Sequence, residues 1–191
     1  GEIEKEEKEI VTANQEHSRQ RAILAPEAYN AERRKFESRV VDAQRRDFTI
    51  NAMFGDADGT LYDPAGGLED LHAGRVRFVG DPERRIREDV LRLLRFFRIY
   101  AHYGRPPPDR AALAACRTMA GELGTLSAER VWSELRRLLL APAPAAVFEL
   151  MDANAVLPEV LPEAGRRSRL AALSEIEAEQ GTAANAIRRL A

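Results

Sequence analysis

The sequence predicts an α+β fold in which helices dominate. Residues 45–80 hold short β-branched and aromatic runs separated by glycine and proline turn signals. Residues 81–191 carry apolar side chains at helical spacing, with helix start and stop signals between the segments. The chain has 191 residues, of which 45% are hydrophobic, so it can bury the core of one ordinary domain or two small ones.

Composition excludes several classes of protein. No run of about 18 apolar residues is present for a transmembrane helix, and the first residues lack a signal-peptide pattern. Cys116 is the only cysteine, so no intrachain disulfide forms, and its apolar neighbours predict a small core residue. The three histidines are scattered without zinc-ligand spacing. We therefore expect a soluble cytoplasmic protein without membrane contact.

The first 41 residues are highly charged and show no clear apolar period. Five glutamates stand among the first nine positions. This composition predicts weak helix or disorder, with Pro26 as a break. We find no chemistry in residues 1–41 and leave them unassigned.

A small β-rich piece follows. Residues 48–54 (FTINAMF) predict a strand, residues 56–59 (DADG) a hairpin turn, and residues 60–63 the returning strand. Residues 68–71 predict a short turn of helix at most. Residues 75–79 (RVRFV) alternate cleanly and predict a third strand.

The next segment predicts one long helix. Asp81 is a good N-cap, Pro82 suits the first helical position, and Gly104 is a natural C-cap. The predicted buried stripe comprises Ile86, Val90, Leu93 or Leu94, Phe97 and Ala101. Further helices are predicted after the caps Asp109 and Ser127, between Pro144 and Asn154, and towards residue 191.

The long helix carries an arginine-rich face. Asp89, Arg92, Arg95 and Arg98 follow one another in steps of three, so their side chains fan across one broad side of a helix. The segment from Arg75 to Arg98 has a surplus of four positive charges, although the whole chain has a net charge of −2. Such a surplus suits phosphate or nucleic acid. A solvated ion-pair face is the structural alternative.

A carboxylate beside an arginine can form hydrogen bonds with the Watson–Crick edge of cytosine or adenine. The exocyclic amine of cytosine or adenine donates to Asp89, while the guanidinium of Arg92 donates to a ring nitrogen. Uracil and guanine place a carbonyl oxygen opposite the carboxylate, which is unfavourable. Arg95 and Arg98 are candidates for the triphosphate or an RNA backbone.

A second candidate group lies at the start of the β-rich piece. Arg46 can hold a phosphate with two hydrogen bonds, and Asn51 can bond a ribose hydroxyl or a phosphate, with Asp47 between them. Charged residues at a strand start are common, so this triplet alone is weak support for a nucleotide site.

Four segments together resemble a known family. They are residues 45–53 (RRDFTINAM), 63–71 (DPAGGLEDL), 85–95 (RIREDVLRLLR) and 127–135 (SAERVWSEL). In this order and spacing they resemble the successive motifs of class II tRNA nucleotidyltransferases, the CCA-adding enzymes of the nucleotidyltransferase/poly(A) polymerase family. The resemblance covers about residues 42–164.

The resemblance implies an architecture and a set of roles. Residues 42–80 would be the end of a catalytic head with a β-sheet, residues 81–160 an all-helical neck, and residues 161–191 the start of a helical body. The partners would be the tRNA 3′ end and the substrates CTP and ATP, with Mg²⁺ as cofactor. Arg46, Asp47, Asn51, Asp89, Arg92, Arg95 and Arg98 would bind the nucleotide, and Glu129 and Arg130 would brace the neck.

One departure from the family pattern is large. The head of the family begins with a glycine-rich phosphate loop followed by an Asp-x-Asp pair that binds Mg²⁺, and residues 1–41 match neither. Two-metal phosphoryl transfer needs such carboxylates. We therefore expect no catalytic or metal-binding residue in this chain. We expect a fragment that is inactive alone.

Three alternatives remain open at this stage. One is a bacterial poly(A) polymerase, or a CC-adding or A-adding specialist, of the same family. Another is a helical RNA- or nucleotide-binding module without catalysis, which would bind with a steep salt dependence and no base preference. The last is a purely structural fragment without ligands.

Overall fold

The computed structural model describes residues 26–164 and 167–190. The chain divides into two compact units, residues 1–42 and 43–191. Helix α1 runs from Pro26 to Arg45, so the helical option predicted for this stretch is correct from Pro26 onward. In the first unit, exposed Arg33 and Glu37 form an i,i+4 ion pair of 2.8 Å along α1. Residues 1–25 lie outside the described residues.

The predicted hairpin is present but short. Strand β1, Phe54–Gly55, pairs antiparallel with β2, Leu61–Tyr62. The turn closes through the amide of Asp56, which donates to the carbonyl of Thr60 at 2.9 Å. Gly59 adopts φ +86°, a conformation that glycine tolerates best.

The predicted strand over residues 48–54 is wrong for most of its length. Thr49–Asn51 form a short 3₁₀ helix, and only an isolated bridge joins Phe48 to Phe78. The cause is local, because the carboxamide oxygen of Asn51 accepts the amide of Phe48 at 3.1 Å and closes a turn in place of a ladder. Residues 75–79 keep the predicted alternation, with Val76 and Phe78 buried, yet form no strand beyond that bridge.

The helical turn predicted after the hairpin is longer than expected. Helix α2 runs from Gly67 to Ala73. It begins where the carboxylate of Asp63 accepts the amides of Gly67 at 2.7 Å and Leu68 at 2.9 Å. These bonds satisfy amides that a helix start leaves without partners.

The predicted long helix is two helices. Helix α3 runs from Pro82 to Glu88, and α4 from Leu91 to Tyr103. The predicted cap is confirmed, since the Asp81 carboxylate accepts the amide of Arg84 at 2.8 Å. The break falls at Asp89, whose backbone is extended and whose Oδ1 accepts the amide of Leu91 at 3.3 Å. Asp89 therefore stands outside both helices.

Six further α-helices complete the described part of the chain, and the 3₁₀ helix Ala120–Thr125 lies among them. They are α5 Arg110–Met119, α6 Ala128–Leu139, α7 Pro144–Ala153, α8 Leu157–Val160, α9 Arg167–Glu179 and α10 Ala186–Leu190. The Asp109 cap is confirmed, with its carboxylate accepting the amide of Ala112 at 2.8 Å. Ser127 occupies the N-cap position of α6, but its side chain makes no capping bond.

One core joins the β-rich piece to the helices. Phe78 lies 4.8 Å from Phe48 and 5.9 Å from Phe96, measured between ring centroids. Leu93 and Leu94 of α4 are fully buried among the residues that α6 and α7 contribute. Cys116 is buried as predicted, and burial raises the pKa of its thiol. Apolar burial of this kind is the main stabilising contribution to the fold.

A buried ion pair ties the last two helices to the end of α6. Arg189 donates from Nε to Glu177 at 2.6 Å. Its Nη1 donates to the carbonyls of Leu139 at 2.6 Å and Ala141 at 2.8 Å. Both charged side chains are buried, so each needs the other as a partner. In the part of the chain that the structure describes, no helix is both long and apolar enough to cross a membrane.

Candidate functional site

Asp47 lies at the centre of the charged cluster. Its Oδ1 accepts Nε of Arg92 at 2.6 Å, and its Oδ2 accepts Nη1 of Arg95 at 2.7 Å. The side chains of Asp47 and Arg92 are about 15% exposed. One carboxylate that follows α1 therefore holds two successive arginines of α4 through charge-assisted hydrogen bonds.

Arg92 is held from a second side by α3. Its Nη1 donates to Glu88 at 2.7 Å and to the carbonyl of Arg85 at 2.9 Å. Arg85 is buried, donates to the same Glu88 oxygen at 2.5 Å, and bonds the carbonyl of Arg46. The hydrogen bond from Arg92 lowers the pKa of Glu88. Burial opposes this change, and the charges of the neighbouring arginines add to the lowering.

Asp89 does not lie on the same helix as Arg92, and a residue of α6 holds its side chain in place. The Asp89 Oδ1 accepts Nη2 of Arg130 at 2.8 Å, in addition to the amide of Leu91. The expectation that Asp89 and Arg92 lie one turn apart on one helix is wrong, because the helix breaks between Glu88 and Leu91. The two residues are still neighbours, since the amide of Arg92 donates to the carbonyl of Asp89 at 3.0 Å.

Arg95 and Arg98 share a carboxylate on α6. Glu134 is buried, and its carboxylate lies 2.6 Å from Nε of Arg98 and 3.6 Å from Nε of Arg95. Burial alone would lower the pKa of Arg95. The hydrogen bond that Arg95 donates to Asp47 and the charges of Asp47, Glu134 and Asp89 nevertheless raise the pKa of Arg95 overall. Arg95 is partly buried, and its carboxylate neighbours favour its charged form.

Glu134 was missed in the sequence, although a signal was present. It lies three residues after Val131 and four before Leu138, on the stripe of α6 that faces the core. A carboxylate on a buried stripe requires a cationic partner. The arginine-rich face of α4 supplies that partner, because α4 packs against α6.

The side chains of the remaining predicted residues make other contacts. Arg46 is exposed, and its guanidinium lies 5.8 Å from the centre of the Phe54 ring. Asn51 uses its carboxamide oxygen on the amide of Phe48. Glu129 lies in the first turn of α6, where its own amide and the Ser127 hydroxyl lower the pKa of its carboxyl.

Two family models match the chain. Residues 2–77 match the poly A polymerase head domain, and residues 108–166 match the probable RNA- and SrmB-binding site of polymerase A. The chain belongs to the tRNA nucleotidyltransferase/poly(A) polymerase family. The match to the head domain includes residues 2–41, which the motif comparison left unassigned.

Curated relatives of this family member are CCA-adding enzymes by name. The mitochondrial CCA tRNA nucleotidyltransferase 1 of Danio rerio is 46% identical over 58% of this chain and 26% of the relative. The CCA-adding enzyme of Pseudomonas putida is 41% identical over 70% of this chain and 37% of the relative. The chain thus spans roughly a quarter to two fifths of the length of these relatives.

Solved structures of the family share the fold. The Bacillus stearothermophilus CCA-adding enzyme in complex with CTP matches with a TM-score of 0.61 and 32% identity, over 70% of this chain and 33% of that one. The Thermotoga maritima CCA-adding enzyme complexed with tRNA matches with a TM-score of 0.58 and 26% identity. This match covers 65% of this chain and 31% of the Thermotoga enzyme. The prediction of a mostly helical α+β fold is confirmed by the structure and by these neighbours.

The described residues do not fit the Mg²⁺ that the family implies. Residues 26–164 and 167–190 contain no group of three or more His, Cys, Asp or Glu side chains placed to hold a metal ion. The carboxylates of this cluster accept hydrogen bonds from arginines instead. The arginines that surround these carboxylates give this part of the chain donors for hydrogen bonds to an anionic group.

Proposed function

We propose that this chain is the late-head and neck portion of a CCA-adding tRNA nucleotidyltransferase. Such an enzyme transfers CMP and AMP from CTP and ATP to the 3′ end of tRNA. The names of the relatives support this activity, and neighbours of the same fold were solved with CTP and with tRNA. Residues 81–160 would serve as the neck that reads the incoming base.

One observation carries the proposal. Asp89 and Arg92 are neighbours at the start of α4, and each is held by an opposite charge from a different element. A fixed carboxylate acceptor beside a fixed guanidinium donor matches the amine and ring nitrogen of cytosine and adenine. Uracil or guanine would place an oxygen against Asp89. The pair therefore supplies a protein template for CTP and ATP.

The other residues take supporting roles in the proposal. Arg95 and Arg98 would face the phosphates, with Arg46, Asp47 and Asn51 in the adjoining motif. Glu129 and Arg130 would brace the template from α6. Because the described carboxylates do not fit Mg²⁺, we propose that this chain alone binds nucleotides without transferring them. Incorporation of CMP or AMP into tRNA by this purified chain would contradict that statement.

The test is a comparison of four dissociation constants. Calorimetric titration of the purified chain with CTP, ATP, UTP and GTP should show tighter binding of CTP and ATP. Asp89→Ala should remove the preference, while Glu149→Ala, which changes an exposed acid on α7, should keep it. Equal affinity of the wild-type chain for all four nucleotides would support a binding module without base reading, which is the rival function.

The poly(A) polymerase branch is the second candidate, because both family models carry that name. Primer extension by an enzyme that contains this neck separates the two activities. Addition that stops after C-C-A supports our proposal, and long A tails support the polymerase. A cytoplasmic location stays a prediction, since the relatives include enzymes named mitochondrial.

A further inference from the structure

We propose that a cleft beyond the end of α4 binds phosphate groups, from an RNA backbone or from a free polyphosphate. The cleft has a volume of about 460 Å³ and lies between the end of α2, the loop over residues 105–108 and the start of α5. Asp89 and Arg92 stand at the opposite end of α4, which has 13 residues. A helix of that length spans about 20 Å. The cleft is therefore a separate place on the surface, and the inference goes beyond the proposed function.

The first step is the charge of the residues that line the cleft. They include three arginines, Arg75, Arg105 and Arg110, and one acid, Asp109. The carboxylate of Asp109 already accepts the amide of Ala112 at 2.8 Å and caps α5. The lining side chains therefore carry a surplus of two positive charges, and their acid is engaged by the backbone.

The second step concerns the donors. Arg75 is anchored, because its Nη1 lies 3.1 Å from buried Asp70 and its Nη2 lies 3.7 Å from Glu69. Within residues 26–164 and 167–190, the exposed guanidinium groups of Arg105 and Arg110 make no hydrogen bond or ion pair. A guanidinium presents its N–H donors in a planar fork that fits two oxygens of one phosphate. Arg105 and Arg110 are therefore the groups that would bind the ligand, and Arg75 forms a fixed wall.

The third step is the way in which the fold holds Arg105. Exposed arginines are common on protein surfaces, where water solvates them. The amide of Arg105, however, donates to the carbonyl of Gly74 at 2.7 Å. A Cβ atom on Gly74 would lie only 2.5 Å from Cγ of Arg105, and the φ of +64° at Gly74 also favours glycine. Glycine at this position therefore lets the aliphatic stem of Arg105 lie against the end of α2.

The loop that joins the two arginines is stiff. Pro106, Pro107 and Pro108 each have a fixed φ, and α5 begins with Arg110 directly after the cap. The backbones of Arg105 and Arg110 therefore keep nearly the same separation with and without a ligand. Less conformational entropy is lost on binding when the backbone is ordered beforehand.

The class of ligand follows from the lining. Two separate guanidinium groups in a cleft of this volume suit a ligand with more than one phosphate. Among the described residues that line the cleft, none is aromatic, so no ring is present on which a base could stack. We therefore expect binding that depends steeply on salt and shows no base preference.

The experiment measures the binding of two probes to the full chain, inorganic tripolyphosphate and the RNA tetranucleotide UUUU. Amide NMR signals locate each probe, and calorimetric titration gives its dissociation constant. Arg105→Gln and Arg110→Gln are compared with Arg117→Gln, which removes the same charge from an exposed position on α5 outside the cleft. Each cleft variant should weaken binding about fivefold, as for an exposed ion pair. It should also reduce the slope of the logarithm of the UUUU dissociation constant against the logarithm of salt by about 0.7. Arg117→Gln should behave as the wild type.

The two probes distinguish the sources of phosphate. Weaker binding of UUUU in the cleft variants supports an RNA backbone as the ligand, and weaker binding of tripolyphosphate alone supports a free polyphosphate. The inference is overturned if neither probe moves the signals of residues 105–110, or if both probes move only those of residues 92–98. An equal loss in Arg117→Gln would also overturn it, because the effect would then come from the general charge of the chain.

A pair of glycine variants tests the held position of Arg105 without changing any charge. Gly74→Ala should displace the stem of Arg105 and weaken the binding of the probe that the cleft takes. Gly181→Ala is the control, because its φ of +62° is nearly the same and a Cβ atom there meets nothing within 4 Å. Unchanged binding in Gly74→Ala would overturn the claim that Arg105 is held for a ligand.

Two further readouts keep the test clear. Thermal unfolding shows whether Gly74→Ala folds, and the arginine variants decide the question if it does not, since they change only exposed side chains. The preference for CTP over UTP should be the same in Arg105→Gln as in the wild type, because the cleft lies about 20 Å from Asp89 and Arg92. Failure of the cleft proposal would therefore leave the proposed function untouched.

Discussion

Arg130 in the first turn of α6 forms an ion pair with Asp89 at the break between α3 and α4, with 2.8 Å between Nη2 and Oδ1. The contact joins residues 41 positions apart. It uses the same Asp89 oxygen that accepts the amide of Leu91. Because both bonds fall on Oδ1, they set the direction of the carboxylate, and in the proposed function Oδ2 would accept the amine of the base.

Replacing Arg130 by Gln should weaken base preference. The two side chains are 49% and 26% exposed, so the pair is screened by solvent. Exposed pairs contribute about 0.2–1 kcal/mol, which corresponds to a loss of up to about fivefold in the CTP-over-UTP preference. Calorimetric titrations with CTP and UTP at two salt concentrations measure this preference. The difference from wild type should shrink in high salt.

The matched control for Arg130→Gln is Arg136→Gln. Arg136 is exposed on the same helix, and its replacement removes the same charge. If Arg136→Gln reduced the preference as much as Arg130→Gln does, the effect would come from the general charge of α6, and the orientation of Asp89 would not depend on Arg130.

A second prediction concerns the buried carboxylate of α6. Glu134→Gln should lower the free energy of unfolding by about 2 kcal/mol, because Arg98 then loses its neutralising charge in a largely buried place and Arg95 keeps only Asp47. Urea unfolding measures the difference. Glu149→Gln on the exposed side of α7 should have almost no effect. Equal stability of Glu134→Gln and wild type would show that Glu134 is not needed as a partner.

A third prediction tests the close approach of α2 to the 3₁₀ turn. A Cβ atom on Gly67 would lie 2.1 Å from the carbonyl oxygen of Thr49, which is backbone and cannot rotate away. Gly67→Ala should therefore destabilise the fold by about 1–3 kcal/mol or more. The control is Gly121→Ala, because a Cβ atom there meets nothing within 4 Å. Equal unfolding midpoints for the two variants would contradict the predicted clash.

Local signals predicted much of the fold. The carboxylates of Asp81 and Asp109 cap α3 and α5 as expected, because a cap depends on an amide three residues away. The stripe of Ile86, Leu93 and Phe97 is buried as expected. Periodicity could not reveal the helix break between Ile86 and Leu93, since both residues are buried whether the helix is continuous or broken.

The sequence predicted which charged residues lie together better than it predicted their arrangement, and their role as a nucleotide site stays a prediction. Asp89, Arg92 and Arg95 are close together as expected, but their partners come from distant parts of the chain. Asp47 lies 45 and 48 positions from the arginines that it holds. Nothing in a local window specifies such a pairing, because it depends on how α4 packs against its neighbours. The place of Glu134 on a buried stripe of α6 was a local signal, but its arginine partners on α4 were not specified locally.

The last prediction follows from the lowered pKa of Glu88. A group whose pKa is lower in the folded state than in the unfolded state binds fewer protons when folded, so stability rises with pH. The contribution of Glu88 should be complete above its ordinary pKa of 4.5 and should be lost as the pH falls through the lowered value. Urea unfolding at several pH values below neutrality measures this dependence.

Two variants isolate the effect of Glu88 from that of the other carboxylates. Glu88→Gln should lose stability less steeply than wild type as the pH falls below 4.5. Arg92→Gln removes the hydrogen bond that contributes most to the shift, so the pKa of Glu88, followed by the NMR signal of its carboxyl carbon, should rise towards its ordinary value. An unchanged pKa in Arg92→Gln would mean that the charges of Arg84 and Arg85 hold the carboxylate ionised without Arg92.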